Sequence, residues 1–107
     1  MATDSSIFVI VEASVRDRAR FQREYVEPVL PILDRHGAEL LAATEGAEVI
    51  EGERRGNRTV LLRFPSRESF SAWYDDPEYV PLRSKRMELT DPSRGTLIVV
   101  PGFSSPS

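Results

Sequence analysis

The sequence predicts an α+β domain with elements in the order β-α-β-β-α-β, built on one antiparallel sheet of four strands. Three observations carry that expectation. β-Branched apolar runs open and close the chain, a stripe at helical spacing follows the first run, and two extended segments sit mid-chain around a Gly-Asn pair. At 107 residues the chain has the size of one domain with one core. We place that core at about 7–103, with 1–5 and 104–107 expected to fray.

The first strand is "IFVIVEASV" (7–15), apolar at every odd position, with Phe8 and Ile10 on the even ones before Glu12 and Ser14. Residues 16–36 switch to intervals of three and four: Phe21, Tyr25, Val29, Ile32, Leu33 and His36. Asp17 is placed to cap this helix and Gly37 to stop it. Pro28 and Pro31 each remove a helical donor, which predicts a kink or break near Glu27. "AELLAATEGAEVIEGE" (38–53) reads as an extended arm bent at Glu45-Gly46. A Gly-Asn turn in "RRGNR" then leads into the return strand "TVLLRF" (59–64). Ser66 suits the cap of a helix over 67–75. Asp76-Pro77 ends it and caps a second helical piece, roughly 77–89. "DPSRG" (91–95) turns the chain into the last strand, "TLIVV" (96–100).

Composition bounds the function. The net charge is −3 and the pI about 5.2, with both signs mixed along the chain, which disfavours nucleic acid as a partner. There is no cysteine, so thiol catalysis and thiolate ligands are excluded. The first apolar run is too short to span a bilayer and lacks a basic leader, so a cytoplasmic location is expected and no membrane partner.

The strands imply a further partner. Helices cover one face of such a sheet, yet Phe8, Ile10, Leu61, Ile98 and Val100 belong to the other. An exposed apolar face of that size is rare in monomers, and a second copy is the simplest cover. The tail "PGFSSPS" offers only Phe103 as an intramolecular alternative.

The βαββαβ order is that of ferredoxin-like folds. The segments "FVIVEASV", "FQREY", "HGAELLAAT", "EVIEG", "FPSRESFSAWYDDPEYVPLR" and "TLIVVPGF", in this order and spacing, resemble the DUF1330 family. The resemblance covers about residues 7–103. It implies a ferredoxin-like subunit that pairs sheet to sheet as a dimeric α+β barrel, and it brings little biochemistry with it. Two departures stand out: "HGA" replaces the family's usual Tyr-Gly-Gly turn, and Asp76 replaces a serine before Pro-Glu-Tyr.

Candidate site residues come from chemistry. His36 is the only histidine, and either a general base or a helix-end residue is consistent with its place. Glu12 shares the Phe8/Ile10 face, where a carboxylate could move a proton; the simpler expectation pairs it with an arginine such as Arg63. Trp73, Tyr74 and Tyr79, with Arg83 one turn after Tyr79, form a candidate binding cluster, or core and interface packing. One histidine and no cysteine leave no credible transition-metal site, and no phosphate loop or nucleophile elbow is present. No cofactor is expected.

The function expected is therefore binding of a small molecule in a subunit cavity. A cofactor-independent enzyme would transfer a proton on an aromatic or carbonyl compound through His36 or Glu12, with Arg83 or Tyr79 steadying the oxyanion. Monooxygenases and isomerases on the same dimeric barrel make this a fold-level analogy. The alternative is a non-catalytic dimeric structural or interaction domain whose aromatics are packing.

Overall fold

The computed structural model describes residues 6–103. Strand β1 spans Ile7–Ala13, and a helical segment follows in three parts: α1 (Arg18–Phe21), a π-helical turn (Gln22–Val26) and α2 (Glu27–Arg35). Strands β2 (Glu39–Thr44) and β3 (Arg58–Phe64) come next. Helices α3 (Arg67–Tyr74) and α4 (Val80–Leu89), a 3₁₀ turn (Pro92–Arg94) and β4 (Thr96–Pro101) complete the fold. The sheet is antiparallel in the order β2-β3-β1-β4, the ferredoxin-like arrangement.

Alternation decides which residues face the helices. Ile7, Val9, Val11 and Ala13 of β1 are buried, as are Leu62 and Phe64 of β3; Leu97 and Val99 of β4 pack partly buried against the same core. Helix residues Val29, Ile32, Leu33, Phe70, Trp73 and Tyr79 close over them. The opposite face lacks a helical layer. There Ile10 lies between Leu61 and Ile98, and Phe8 between Arg63 and Val100. Ile98 is 49% exposed, and Phe103 is 92% exposed, so it does not cover this face.

Several local expectations hold. Asp17 accepts from the Arg20 N–H, Ser66 accepts from the Ser69 N–H, and Gly37 takes a φ of 75° just past α2. The prolines do not break the helix. Instead the turn ahead of them widens: the Glu27 N–H bonds the Gln22 carbonyl, five residues back. A π turn relieves the crowding a proline ring imposes on the preceding carbonyls, so the helix runs on through Pro28 and Pro31.

The middle of the chain departs more from expectation. β2 ends at Thr44, its register shift falls between Leu40 and Ala42, and residues 45–57 form a long connection instead of a tight Gly-Asn hairpin. Gly56 and Asn57 have a different task. A Cβ on Gly56 would lie 2.4 Å from the Ala13 carbonyl oxygen, so glycine allows the two backbones to touch. Asn57 then spans to the end of β1: its Oδ1 accepts from the Val15 N–H at 2.9 Å, and its Nδ2 donates to the Val15 carbonyl at 3.0 Å. The second helical piece also starts later than expected, at Val80, after a turn over 77–79.

Candidate functional site

The joint between α3 and α4 is organised by Asp76. Its Oδ1 accepts from the Glu78 N–H at 2.8 Å, and its backbone carbonyl accepts from the Tyr79 and Val80 N–H groups at 2.8 and 2.9 Å. Its Oδ2 lies 2.8 Å from His36 Nε2 and 3.2 Å from Arg35 Nη2. Arg35 Nη1 also donates to Glu78 at 3.0 Å. The end of α2 is thereby tied to the joint. The hydrogen bond from His36, then that from the Glu78 N–H, holds the Asp76 carboxyl below the usual aspartate value.

That joint fixes where the aromatic residues go. Tyr79 is fully buried, its ring centroid 4.0 Å from that of Trp73 and its hydroxyl 2.8 Å from the Tyr25 hydroxyl. Tyr25 comes from the π turn, a feature that often marks functional positions. Burial, followed by the neighbouring Tyr79, pushes the Tyr25 phenol well above its ordinary pKa, so it stays protonated at neutral pH. Arg83 turns the other way. It donates to the Tyr74 carbonyl at 2.9 Å and stacks over the Tyr74 ring at 4.3 Å.

Between helices and sheet lies a mainly apolar cavity of about 70 Å³, with Tyr25, Val29, Leu33, Val60 and Leu62 among its walls. That is several times the ~10–15 Å³ a single water needs. Besides Tyr25, the side chains with polar atoms that line it are Arg58, Trp73 and Arg86. Among the described residues, their Nε, Nε1 and Nε atoms are the buried side-chain nitrogens and oxygens that have no hydrogen-bond partner. Each such orphan donor costs ~1–3 kcal/mol, and all three belong to side chains that line one cavity. Trp73 is only 2% exposed. Burial presses the Arg86 guanidinium toward losing its charge, but Tyr79 and Tyr25 beside it raise its pKa overall, so it remains a cation.

Two hollows adjoin the cavity through shared arginines. Arg58 also lines a shallow surface hollow with Arg16, Asp17 and Arg18. Arg86 also lines one of about 130 Å³ with Glu12, Tyr74, Thr90 and Thr96. Glu12 accepts there from the Thr59 hydroxyl and from Arg54 Nε at 3.4 Å. Its partners thus differ from the Arg63 that the sequence suggested; Arg63 binds Glu39 at 2.6 Å. The pairing follows from register, since Thr59 lies directly across from Glu12 while Arg63 is opposite Phe8.

The candidates are therefore divided among separate places. Trp73 reaches the cavity, and Tyr79 stands behind it. Tyr74 and Glu12 meet in the adjoining hollow, Arg83 braces Tyr74, and His36 belongs to the Asp76 joint. Tyr25, Arg58 and Arg86 were not singled out, yet each left a signal. Arg86 occupies the inward stripe of Tyr79, Leu82 and Leu89, and Arg58 continues the apolar side of β3 set by Val60, Leu62 and Phe64. A charge on an apolar stripe is the sign to look for. Among the described residues, no group of three or more His, Asp or Glu is arranged to hold a metal ion, and no helix is long and apolar enough to cross a membrane.

The element order and the β2-β3-β1-β4 sheet define a ferredoxin-like α+β domain. The chain belongs to the DUF1330 family, a domain of unknown function, whose pattern matches residues 6–103. No curated protein matches it by sequence. Among solved structures it is similar to the RPA0582 protein of unknown function from Rhodopseudomonas palustris, at 14% identity and a TM-score of 0.77, covering 96% of this chain and 86% of that one. It is similar to SnoaB, a cofactor-independent oxygenase from Streptomyces nogalater, at 12% identity and a TM-score of 0.61, covering 96% of each chain. A dimeric protein of unknown function with a ferredoxin-like fold from Bacteroides fragilis is likewise similar, at 13% identity and a TM-score of 0.62, covering 94% and 100%. At these identities the likeness is one of fold.

Proposed function

We propose that this protein is a small-molecule-binding homodimer, each subunit holding its ligand in the cavity between helices and sheet. The observation that carries the reading is the cavity itself: mainly apolar walls and three buried donors without partners, all in one place. Its fold relatives include a cofactor-independent oxygenase, which supports a subunit cavity as a place for chemistry. A catalytic version of the reading would need the reacting carbon to extend out of the cavity, which Glu12 does not line, into the adjoining hollow where Glu12 and Arg86 meet. Glu12 would take a proton from an activated carbon, and Arg86 would face the oxyanion that forms. His36, held by Asp76 at the far joint, is a poorer candidate for that proton.

The test is a crystal soak with small aromatic and branched aliphatic compounds, read alongside the emission of Trp73, the chain's only tryptophan. Density in the cavity and a shifted emission maximum are expected. If no compound enters at millimolar concentration, binding in this cavity is ruled out.

The homodimer follows from the open sheet face, where Ile10, Leu61 and Ile98 form a continuous apolar row. A structural relative described as dimeric supports it. Light scattering at micromolar concentration should give twice the 12.1 kDa chain mass, and Ile98→Asp should give the single mass. A wild-type protein that is monomeric under these conditions would refute the pairing.

A further inference from the structure

We infer that the ligand of this cavity is a small organic anion, an apolar body ending in a carboxylate or an enolate-type oxygen. This rests on the binding reading above and adds the chemical class. The polar lining consists of donors. Arg58 and Arg86 have guanidinium nitrogens with no acceptor to give, Trp73 Nε1 is donor only, and the Tyr25 hydroxyl is already engaged with Tyr79. No carboxylate or histidine lines the cavity. A cationic or donor-only ligand would thus find nothing to bind, whereas an oxyanion would meet two cations and an indole N–H.

Neither arginine is neutralised by a carboxylate. Arg58 has its guanidinium 5.7 Å from the Phe21 ring, and Arg86 interacts with the neutral Tyr25 and Tyr79 hydroxyls while its Nε lacks a partner. Neither is in an ion pair among the described residues. The surface hollow that shares Arg58 adds Arg16 and Arg18 against Asp17, and although Glu45 pairs with Arg18, one net positive charge remains at the hollow, which favours arrival of a negative ligand. Size completes the description: about 70 Å³ suits a short branched chain, and a single ring, for which a cavity of ~150 Å³ is known to serve, tests its upper limit.

The test uses isosteric sets that differ only in the head group. Isobutyrate, isobutanol and isobutylamine form one set, and benzoate, benzyl alcohol and benzylamine the other. Each is titrated against the wild-type dimer by Trp73 emission and calorimetry. The carboxylates should bind at least about tenfold more tightly than the alcohols, and the amines should not bind measurably. In Arg86→Gln and Arg58→Gln the carboxylate advantage should shrink by about tenfold, while alcohol binding stays as it was. Should the alcohols match the carboxylates in wild type, the anion assignment is overturned but the cavity reading survives. Should nothing bind at all, the cavity reading itself falls. The wild-type series decides the question even where a variant folds poorly.

Discussion

Two polar clusters in this domain, one at the α3–α4 joint and one around the cavity, are opposites. Around Asp76 the polar groups meet: both carboxylate oxygens are used, His36 and Arg35 reach them from α2, and Glu78 takes the second arm of Arg35. Around the cavity, by contrast, Arg58 Nε, Trp73 Nε1 and Arg86 Nε each lack an acceptor, although the rest of the Arg86 guanidinium meets the Tyr25 and Tyr79 hydroxyls. The first cluster stabilises the fold as it stands. The second leaves three donors that an occupant of the cavity would satisfy. Saturation of partners, more than residue type, separates a structural cluster from a binding one.

The sharpest blow to this picture comes from the residue that backs Trp73. Tyr79 is fully buried against Trp73 and ends the joint that Asp76 begins. Tyr79→Ala should destabilise the fold by ~3–5 kcal/mol, measured by denaturant unfolding, because a large ring leaves a void that close-packed neighbours cannot fill. A loss below ~1.5 kcal/mol would mean that the wall is loosely packed and the cavity poorly defined.

A change of the opposite sign is expected next. Arg86→Met removes a partly buried cation with an orphan Nε and keeps its volume, so stability without ligand should rise by ~1 kcal/mol. For a domain of this size that corresponds to a melting temperature higher by ~4–8 °C. The same substitution should abolish the preference for carboxylates over alcohols. A clear fall in stability would instead class Arg86 with Asp76, as a structural group.

The fold was legible because alternation and helical spacing are properties of the chain alone. β1, β3, β4 and the caps at Asp17 and Ser66 follow directly from residue order. The site was less so. Trp73 and Tyr79 could be named from their spacing, but their partners lie on other elements: Tyr25 is 54 residues from Tyr79. Arg58 and Arg86 look like ordinary surface charges until their stripes are traced inward. Gly56-Asn57 misled for a related reason. Its turn-forming chemistry is real, yet the long-range contact with Ala13 and Val15 uses the same residues for a close approach and a clasp.

The smallest expected effect lies at the saturated cluster, and pH exposes it. Asp76 has a folded pKa below its ordinary 3.8, so its contribution to stability is fully present above 3.8 and is lost as pH falls through the lowered value. Glu24 and Asp91 are lowered too and will bend the same acid limb, so the informative quantity is a difference between proteins. Asp76→Asn cannot ionise and accepts hydrogen bonds through one oxygen only. It should be less stable than wild type at pH 6, with the gap closing as pH drops below 3.8, where the wild-type carboxyl becomes protonated. Thermal unfolding of both proteins across pH 2–6 reads this directly. A gap that stays constant over that range would show that the Asp76 charge contributes nothing, and that its N–H contacts alone hold the joint.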